Sequence, residues 1–514
     1  MMNTKNTFST VKRIFLMASF ILLALTTAKA QVFSFNNIGG DHLWSNAENW
    51  ADGVKPTVES AQVVVTADVI VDEDVCVFSL CDAVLCDLTV QTAKKLTVSD
   101  NLVWDKGGNF ILEDRAQLIY DDPAQVTVQK KIAAYDENKN QWKLIASPVQ
   151  QDIMPSYDNG FLTDPATGYA LIYYVEATHQ WADFKDTEFP IVNGHGYLYA
   201  NALDTTLLFE GLTYGSGVPH EIALDYHAAN GGLAGCNFVG NPFACNAFAD
   251  RSYYLLDEEC NAIIPYAFSA ATPLPPCAGL IVKANASNES VSFSREAPAP
   301  SHNQGYIHFA VTLHNDPHNS LDHAIVSFNE GDNLGKFAMY QETPLLYFTQ
   351  DSKDLAILSI DSVDVMPMKF KAAEDGTFTL HVELEAAELS FLHLIDNMTG
   401  ANIDLLTTPT YTFNATTNDY ASRFKLVFDP HFGIEEDGDS NGSGTFAYVT
   451  NGEIIINDVE TCHGTSLQII DMTGRVIVCS DVARNVSTTG IAPGIYVLRL
   501  VTKDGFRTQK ILIE

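Results

Sequence analysis

Two stretches of the chain place an acid just ahead of a Thr-Gly pair, LQIIDMTGRVIVCS at 467–480 and FLHLIDNMTGANIDLL at 391–406. An acid at such a position is the hallmark of aspartic proteases, in which two carboxylates meet and share a proton. There the Asp directly precedes Thr or Ser. Here Met472 separates Asp471 from Thr473, while Asn397 and Met398 separate Asp396 from Thr399, so the two copies do not match each other either. Asp and Thr side chains satisfy free backbone groups in turns, and Gly supplies a positive φ. Both stretches are read as β-hairpin turns, and no catalytic residue is assigned.

Other side chains invite chemistry with less support. Asp437-Gly-Asp439-Ser-Asn441-Gly442 follows the first half of a calcium loop, but Tyr448 stands where the loop needs its closing Glu. The segment is read as a solvated linker; weak Ca²⁺ association is the one cofactor left open. His302, His308, His314, His318 and His323 fall close together, and even spacing along one strand would bring the first three to a common face. Asn315-Asp316-Pro317 breaks that run, so these are read as surface and loop histidines, with no metal assigned. Nine cysteines form three groups: Cys76, Cys81, Cys86; Cys236, Cys245, Cys260, Cys277; and Cys462, Cys479. Their spacing is not that of a zinc site. In an oxidising compartment the last two groups could pair internally, leaving one thiol of the first group unpaired, with the connectivity open. Trp44, Trp50 and Trp181 are candidates for a platform on which a sugar ring stacks, although Trp44 and Trp50 also suit the capping of a core end. Nucleophile-elbow, zinc-protease and phosphate-loop motifs are absent from the sequence. Carboxylate pairs for glycoside hydrolysis remain open, because 64 acids offer many combinations.

The chain holds 29 Lys and Arg against those acids, a net charge of −35. Lys5, Lys12 and Arg13 precede an apolar run from Ile14 to Leu25, and Ala28-Lys29-Ala30 has the small-x-small form of a signal-peptidase site. Residues 1–30 are expected to be a signal peptide cleaved between Ala30 and Gln31. Its four basic residues leave with it, which takes the charge to −39 (25 − 64). So acidic a chain repels nucleic acid and anionic membranes, and no later stretch has the length of a transmembrane segment.

After Gln31 the sequence has short β-rich runs broken by Gly, Asn, Asp and Pro, the pattern of an all-β chain. Residues 31–123 open with LWSNAENWADGVKP and continue in ladder-like short strands, as in a β-solenoid or tight sandwich. Residues 124–296 carry an internal echo, Trp142-Lys-Leu-Ile-Ala-Ser-Pro148 against Cys236-Asn-Phe-Val-Gly-Asn-Pro242. Two similar sheet edges are expected there, since Pro does not sit in a central strand. A further β-sandwich domain is expected over 297–430, then a flexible acidic Gly-rich linker over 431–444, then a compact unit over 445–514.

That last unit resembles the type A C-terminal sorting domain of the Bacteroidetes type IX secretion system. The resemblance rests on SLQIIDMTGRVI (466–477), GIAPGIYVLRL (490–500) and KDGFRTQKILI (503–513), three ordered blocks ending at the C-terminus. Ile491 stands where the family usually has Leu, and the upstream P-N-P is missing. The resemblance implies an Ig-like β-sandwich in which Asp471, Gly474, Arg475, Gly494, Tyr496 and Lys510 belong to the sorting module. It also implies the secretion machinery and its sortase-like peptidase as partners, cleavage in the linker, and a protein attached to the outer membrane or released. More faintly, the paired W-x-L-I-x-S-P and F-V-G-N-P-F strands and the 391–428 region look like β modules of Bacteroidetes cell-surface proteins. The expectation is a secreted, all-β, multi-domain surface protein that binds glycan or a host or matrix protein without catalysis. A polysaccharide hydrolase and a purely structural surface component are the alternatives.

Overall fold

The computed structural model describes residues 31–135, 142–164, 166, 168–227, 233–257, 262–297, 305–337, 343–361, 365–387, 389–428, 447–450, 453–456, 466–471, 475–481, 485–487, 490–502 and 505–513. The signal-peptide segment and the 431–444 linker, with its calcium-like loop, lie outside them. Among the described residues the fold is all-β, with short 3-10 turns and no α-helix, and no helix long and apolar enough to cross a membrane. The chain divides into two compact units, 1–433 and 434–514.

The first unit begins as a coil of parallel strands: β1 (Val32–Phe35), β2 (Gln62–Val65), β3 (Val69–Val71), β4 (Val75–Asp82), β5 (Leu88–Val90), β6 (Lys95–Val103), β7 (Phe110–Leu112), β8 (Gln117–Ile119) and β9 (Gln125–Ile132). Strands alternate between two parallel sheets, β1-β2-β4-β6-β8 and β3-β5-β7-β9, which is a solenoid. The last rung runs past the boundary expected at residue 123, because β9 stacks on β7. Alternating Val, Leu and Ile from both sheets fill the interior, the period of strands with one buried face. Acids at the corners accept backbone N–H groups from the next rung. Asp68 takes that of Asp87 at 2.9 Å, Asp87 that of Asn109 at 2.7 Å, and Asp74 that of Lys95 at 3.0 Å. Asp82 takes both Asp105 and Lys106 at 3.1 and 2.7 Å. Corner amides have no ladder partner, so these carboxylates satisfy donors that would otherwise be orphaned.

An antiparallel pair of four-stranded sheets follows. The first contains β10 (Lys143–Ala146), β11 (Tyr169–Val175), β12 (Gln180–Asp183) and β13 (Gly196–Asn201); β14 (Thr205–Leu212) then pairs antiparallel with β9, covering the open edge of the solenoid. After β15 (His220–Ala223), the second sheet contains β16 (Cys236–Gly240), β18 (Tyr253–Leu256), β19 (Ile263–Tyr266) and β20 (Gly279–Lys283); β17 (Phe248–Ala249) and β21 (Ser290–Ser294) join β15 in a separate layer. The strand orders, β10-β13-β11-β12 and β16-β20-β18-β19, are the same. The registers agree too. Ala146 opposes Gly196 as Gly240 opposes Gly279, and Tyr174 opposes Trp181 as Leu256 opposes Ile263. The sequence echo is therefore a structural duplication.

The two sheets meet backbone to backbone. A Cβ on Gly196 would lie 2.7 Å from the Val239 carbonyl oxygen, one on Gly279 2.7 Å from Leu144 Cγ, and one on Gly240 2.0 Å from Ala146 Cβ. The remainder of the unit, from Tyr306 to Phe428, is one curled sheet closed around its own aromatic-rich core. It docks on the second repeat. Phe337 meets the Tyr254 ring edge-on at 4.6 Å, the Tyr254 hydroxyl donates to the Gly335 carbonyl at 2.7 Å, and Ser252 Oγ donates to the Asp332 carbonyl at 2.9 Å.

The second unit has two antiparallel sheets. One holds Ala447–Thr450, Glu453–Ile456 and Asn485–Ser487; the other holds Val476–Asp481, Ser466–Ile470, Gly494–Thr502 and Gly505–Ile513. Ile454, Leu467, Ile469, Leu498 and Ile513 make its core.

The glycine contact gives a direct test. Gly240→Ala is expected to lower the urea midpoint of the first unit by the equivalent of about 1–3 kcal/mol, the usual cost of overpacking. Gly376→Ala, whose added Cβ would meet only Phe378 ring atoms at 3.6 Å, should leave the midpoint unchanged or raise it slightly.

Candidate functional site

Of the three candidate tryptophans, the fold leaves one exposed. Trp44 and Trp50 are 1% and 2% exposed and stand edge to face at 4.7 Å. Trp50 Nε1 donates to the Trp44 carbonyl at 2.9 Å, and Phe33 and Phe35 pack against the Trp50 ring. Ala51 N–H donates to the Ser34 carbonyl and Asn36 N–H to that of Asn49, so this segment closes the first rung of the solenoid. Neither ring can receive a sugar; exposing either would open the core, and terminal rungs need such caps. The expectation of a platform built from these two residues is corrected accordingly.

Trp181 is 37% exposed. It sits on edge strand β12, opposite Tyr174, with its ring 5.3 Å from Tyr174 and 5.2 Å from Phe238 across the repeat boundary. Those two rings fix the indole, so little side-chain freedom is left to lose on binding. The β11–β12 turn adds polar groups. The Tyr174 hydroxyl lies 3.2 Å from His179 Nδ1, and Glu176 is buried at the turn. Glu176 accepts His227 Nδ1 at 2.6 Å, His227 N–H at 2.8 Å and Gly235 N–H at 3.0 Å. Burial pushes its carboxyl up, but these donors outweigh it and hold the group below the usual carboxylate range. The His227 ring is half exposed, with Nδ1 committed to the carboxylate. The result is an aromatic ring held by Tyr174 and Phe238 on a hairpin whose turn also carries Glu176 and, through it, an oriented imidazole, groups suited to stacking and hydrogen bonding. Glu176 and His227 carry no motif, since they are 51 residues apart and folding alone joins them.

The two acid–Thr–Gly stretches are both turns. Asp396 ends strand Leu392–Asp396, which pairs with Asn402–Asp404; Asp471 follows Ser466–Ile470, which pairs with Val476–Asp481. Asp396 is fully buried and bidentate with Arg423, Nε to Oδ1 at 3.1 Å and Nη2 to Oδ2 at 2.7 Å. It also accepts Met398 N–H and the Tyr411 hydroxyl, each at 2.9 Å. Burial raises its pKa, but Arg423, Met398 and Tyr411 more than reverse that and leave it lowered. Such a carboxylate has no lone pair left for a reaction. Asp471 makes a looser version, accepting Arg475 N–H at 3.0 Å and Arg475 Nε at 3.1 Å in a solvent-facing turn. In the same unit Gly494 opens its strand opposite Ile513, Tyr496 donates to the Ala492 carbonyl at 2.7 Å, and Lys510 pairs with Val497. Gly474 lies outside the described residues.

The described histidines do not gather as a metal site. His302 lies outside the described residues, and His314 bonds Thr379 Oγ1 at 3.2 Å. His308 and His323 form a stacked cross-strand pair, 3.0 Å from nitrogen to nitrogen, and His323 is buried rather than on a loop. Burial, with His308 and Lys336 nearby, pulls the His323 pKa down to about 3. No group of three metal-ligating side chains occurs among the described residues. Cys260 and Cys462 lie outside the described residues, and the described cysteines of the first two groups are not paired with one another. Cys236, Cys245 and Cys277 are free thiols buried in three separate cores, and Cys76, Cys81 and Cys86 are also free. A disulfide needs Cα atoms within roughly 7 Å. Burial pushes the Cys236, Cys245 and Cys277 thiols up to about 12, which leaves them unreactive.

Residues 37–253 match a family described as a domain of unknown function, DUF8693. The match covers the solenoid after its first strand, the whole first repeat, and the second repeat as far as the start of β18. No curated protein matches the chain.

Two tests follow. Asp396→Ala should destabilise the first unit by about 3–5 kcal/mol, because it leaves a buried guanidinium unpaired. Asp471→Ala should cost no more than about 1 kcal/mol, since Arg475 is exposed. For His323 the folded pKa lies below the unfolded value of 6.5, so its contribution is complete above 6.5 and is lost as pH falls below it. Urea midpoints measured across this range should fall with acid in the wild type, and His323→Gln should flatten that limb.

Proposed function

We propose that this chain is a non-catalytic binding protein of the bacterial cell surface, exported by the type IX secretion system, whose ligand stacks on Trp181. The reading takes the first unit as tandem β domains, a solenoid followed by duplicated and single sandwiches, and residues 445–514 as an Ig-like sorting domain. The exposed indole on an edge strand, pinned by Tyr174 and Phe238, on the hairpin whose turn holds the Glu176–His227 pair, carries the binding assignment. An aromatic face beside a few fixed polar groups suits a pyranose, which offers apolar C–H faces and peripheral hydroxyls. The three ordered motif blocks support the export assignment, together with the Asp471–Arg475 ion pair and the buried Tyr496 of the second block.

A glycan array probed with the purified chain tests the first part. Trp181→Ala should weaken the best ligand about tenfold, the equivalent of ~1.4 kcal/mol. Absence of both binding and hydrolysis would remove the reading. Deleting residues 445–514 should strand the protein in the periplasm, and surface display that survives the deletion would refute the sorting assignment.

A further inference from the structure

Lys336 and Asp322 form a buried pair on the side of the third β module that faces the second repeat. Asp322 lies on strand Asp316–Ser327, and Lys336 follows the short strand Leu334–Gly335. Lys336 Nζ is 2.7 Å from Asp322 Oδ1, with the side chains 5% and 11% exposed. The lysine is held along its whole length. Its N–H donates to the Asp354 carbonyl at 2.8 Å, its carbonyl accepts Lys283 Nζ at 3.2 Å, and the preceding Gly335 carbonyl takes the Tyr254 hydroxyl. Nζ also donates to the His323 carbonyl at 2.9 Å. The second carboxyl oxygen, Oδ2, accepts Leu346 N–H at 2.6 Å.

We propose that Lys336 and Asp322 become joined by an intramolecular amide bond, formed by the chain itself after folding. Burial works on both partners in the direction that reaction needs, raising the carboxyl pKa and lowering that of the amine against their mutual attraction. A neutral amine is a nucleophile and a neutral carboxylic acid an electrophile, whereas the charged pair is neither. The Nζ lone pair attacks Cγ, and the carbonyl electrons move onto Oδ2, where Leu346 N–H holds the developing charge. The carbonyl then re-forms, and Oδ1 leaves as water with its own proton and one from nitrogen. Amine plus acid gives amide plus water, so no oxidant or co-reactant is required. Holding the two groups in contact corresponds to effective molarities of ~10⁵ M or more, which offsets the weak intrinsic reactivity of an acid toward an amine. The bond would fasten the segment that grips the second repeat, in a unit whose described cysteines are all free. This proposal is independent of ligand binding and of the export route.

Intact-mass spectrometry of the denatured full chain tests it. The wild type is expected to be lighter than its sequence by one water. A branched tryptic peptide should join the Lys336 and Asp322 segments. Lys336→Arg, which keeps the positive charge, and Asp322→Ala should both show the full sequence mass. A wild-type chain at full mass, or a missing water that persists in Lys336→Arg, would overturn the proposal.

Discussion

The first unit is organised by a place where two backbones touch. At Gly196, Gly240 and Gly279 the sheets of the duplicated module approach so closely that no side chain fits between them. Glycine is used here for its missing Cβ, because none of the three carries a positive φ. Everything downstream depends on that contact. It sets the strands of one repeat against those of the other, which brings Phe238 to Trp181 and Tyr174. It also leaves Tyr254 turned toward the third module, whose Phe337 and Gly335 seat on it. The duplication is thus used asymmetrically. Ile263 packs at the core shared with the third module, whereas its counterpart Trp181 is exposed.

The acidity of the chain has a structural use as well as a colloidal one. Solenoid corners expose amides that no neighbouring strand can pair. Asp68, Asp74, Asp82 and Asp87 take them up rung by rung. A carboxylate accepting a backbone N–H makes a stronger hydrogen bond than a neutral acceptor does. Asp396 follows the opposite rule. In a fully buried position it requires a bidentate Arg423, a hydroxyl and an amide to keep its charge. Asp396 and Asp471 share a sequence pattern at the end of a hairpin's first strand, but burial gives one a core ion pair and the other a surface one.

Much of this could be read along the chain. The strand period, the broken histidine run, the Pro-terminated echo at 142–148 and 236–242, and the hairpin character of both acid–Thr–Gly stretches are local properties. Alternation, turn chemistry and the spacing of Thr and Gly from the acid express them within a few residues. Local reading failed where distant segments decide burial. Trp44 and Trp181 have equally aromatic credentials, but one plugs the end of a solenoid and the other rides an edge strand. Cys236, Cys245 and Cys277 look paired by proximity in sequence, but a strand, a bend and a turn deliver them to three different cores.

The sequence by itself determined an all-β chain, an internal repeat and the positions of its turns, because periodicity and backbone chemistry act over a handful of residues. Only the tertiary structure decided which aromatic ring faces solvent, that Glu176 orients His227, and that Lys336 meets Asp322 out of water. Those contacts join residues 51 and 14 apart in the chain, and their chemistry depends on desolvation, which belongs to the packed assembly and to no single stretch.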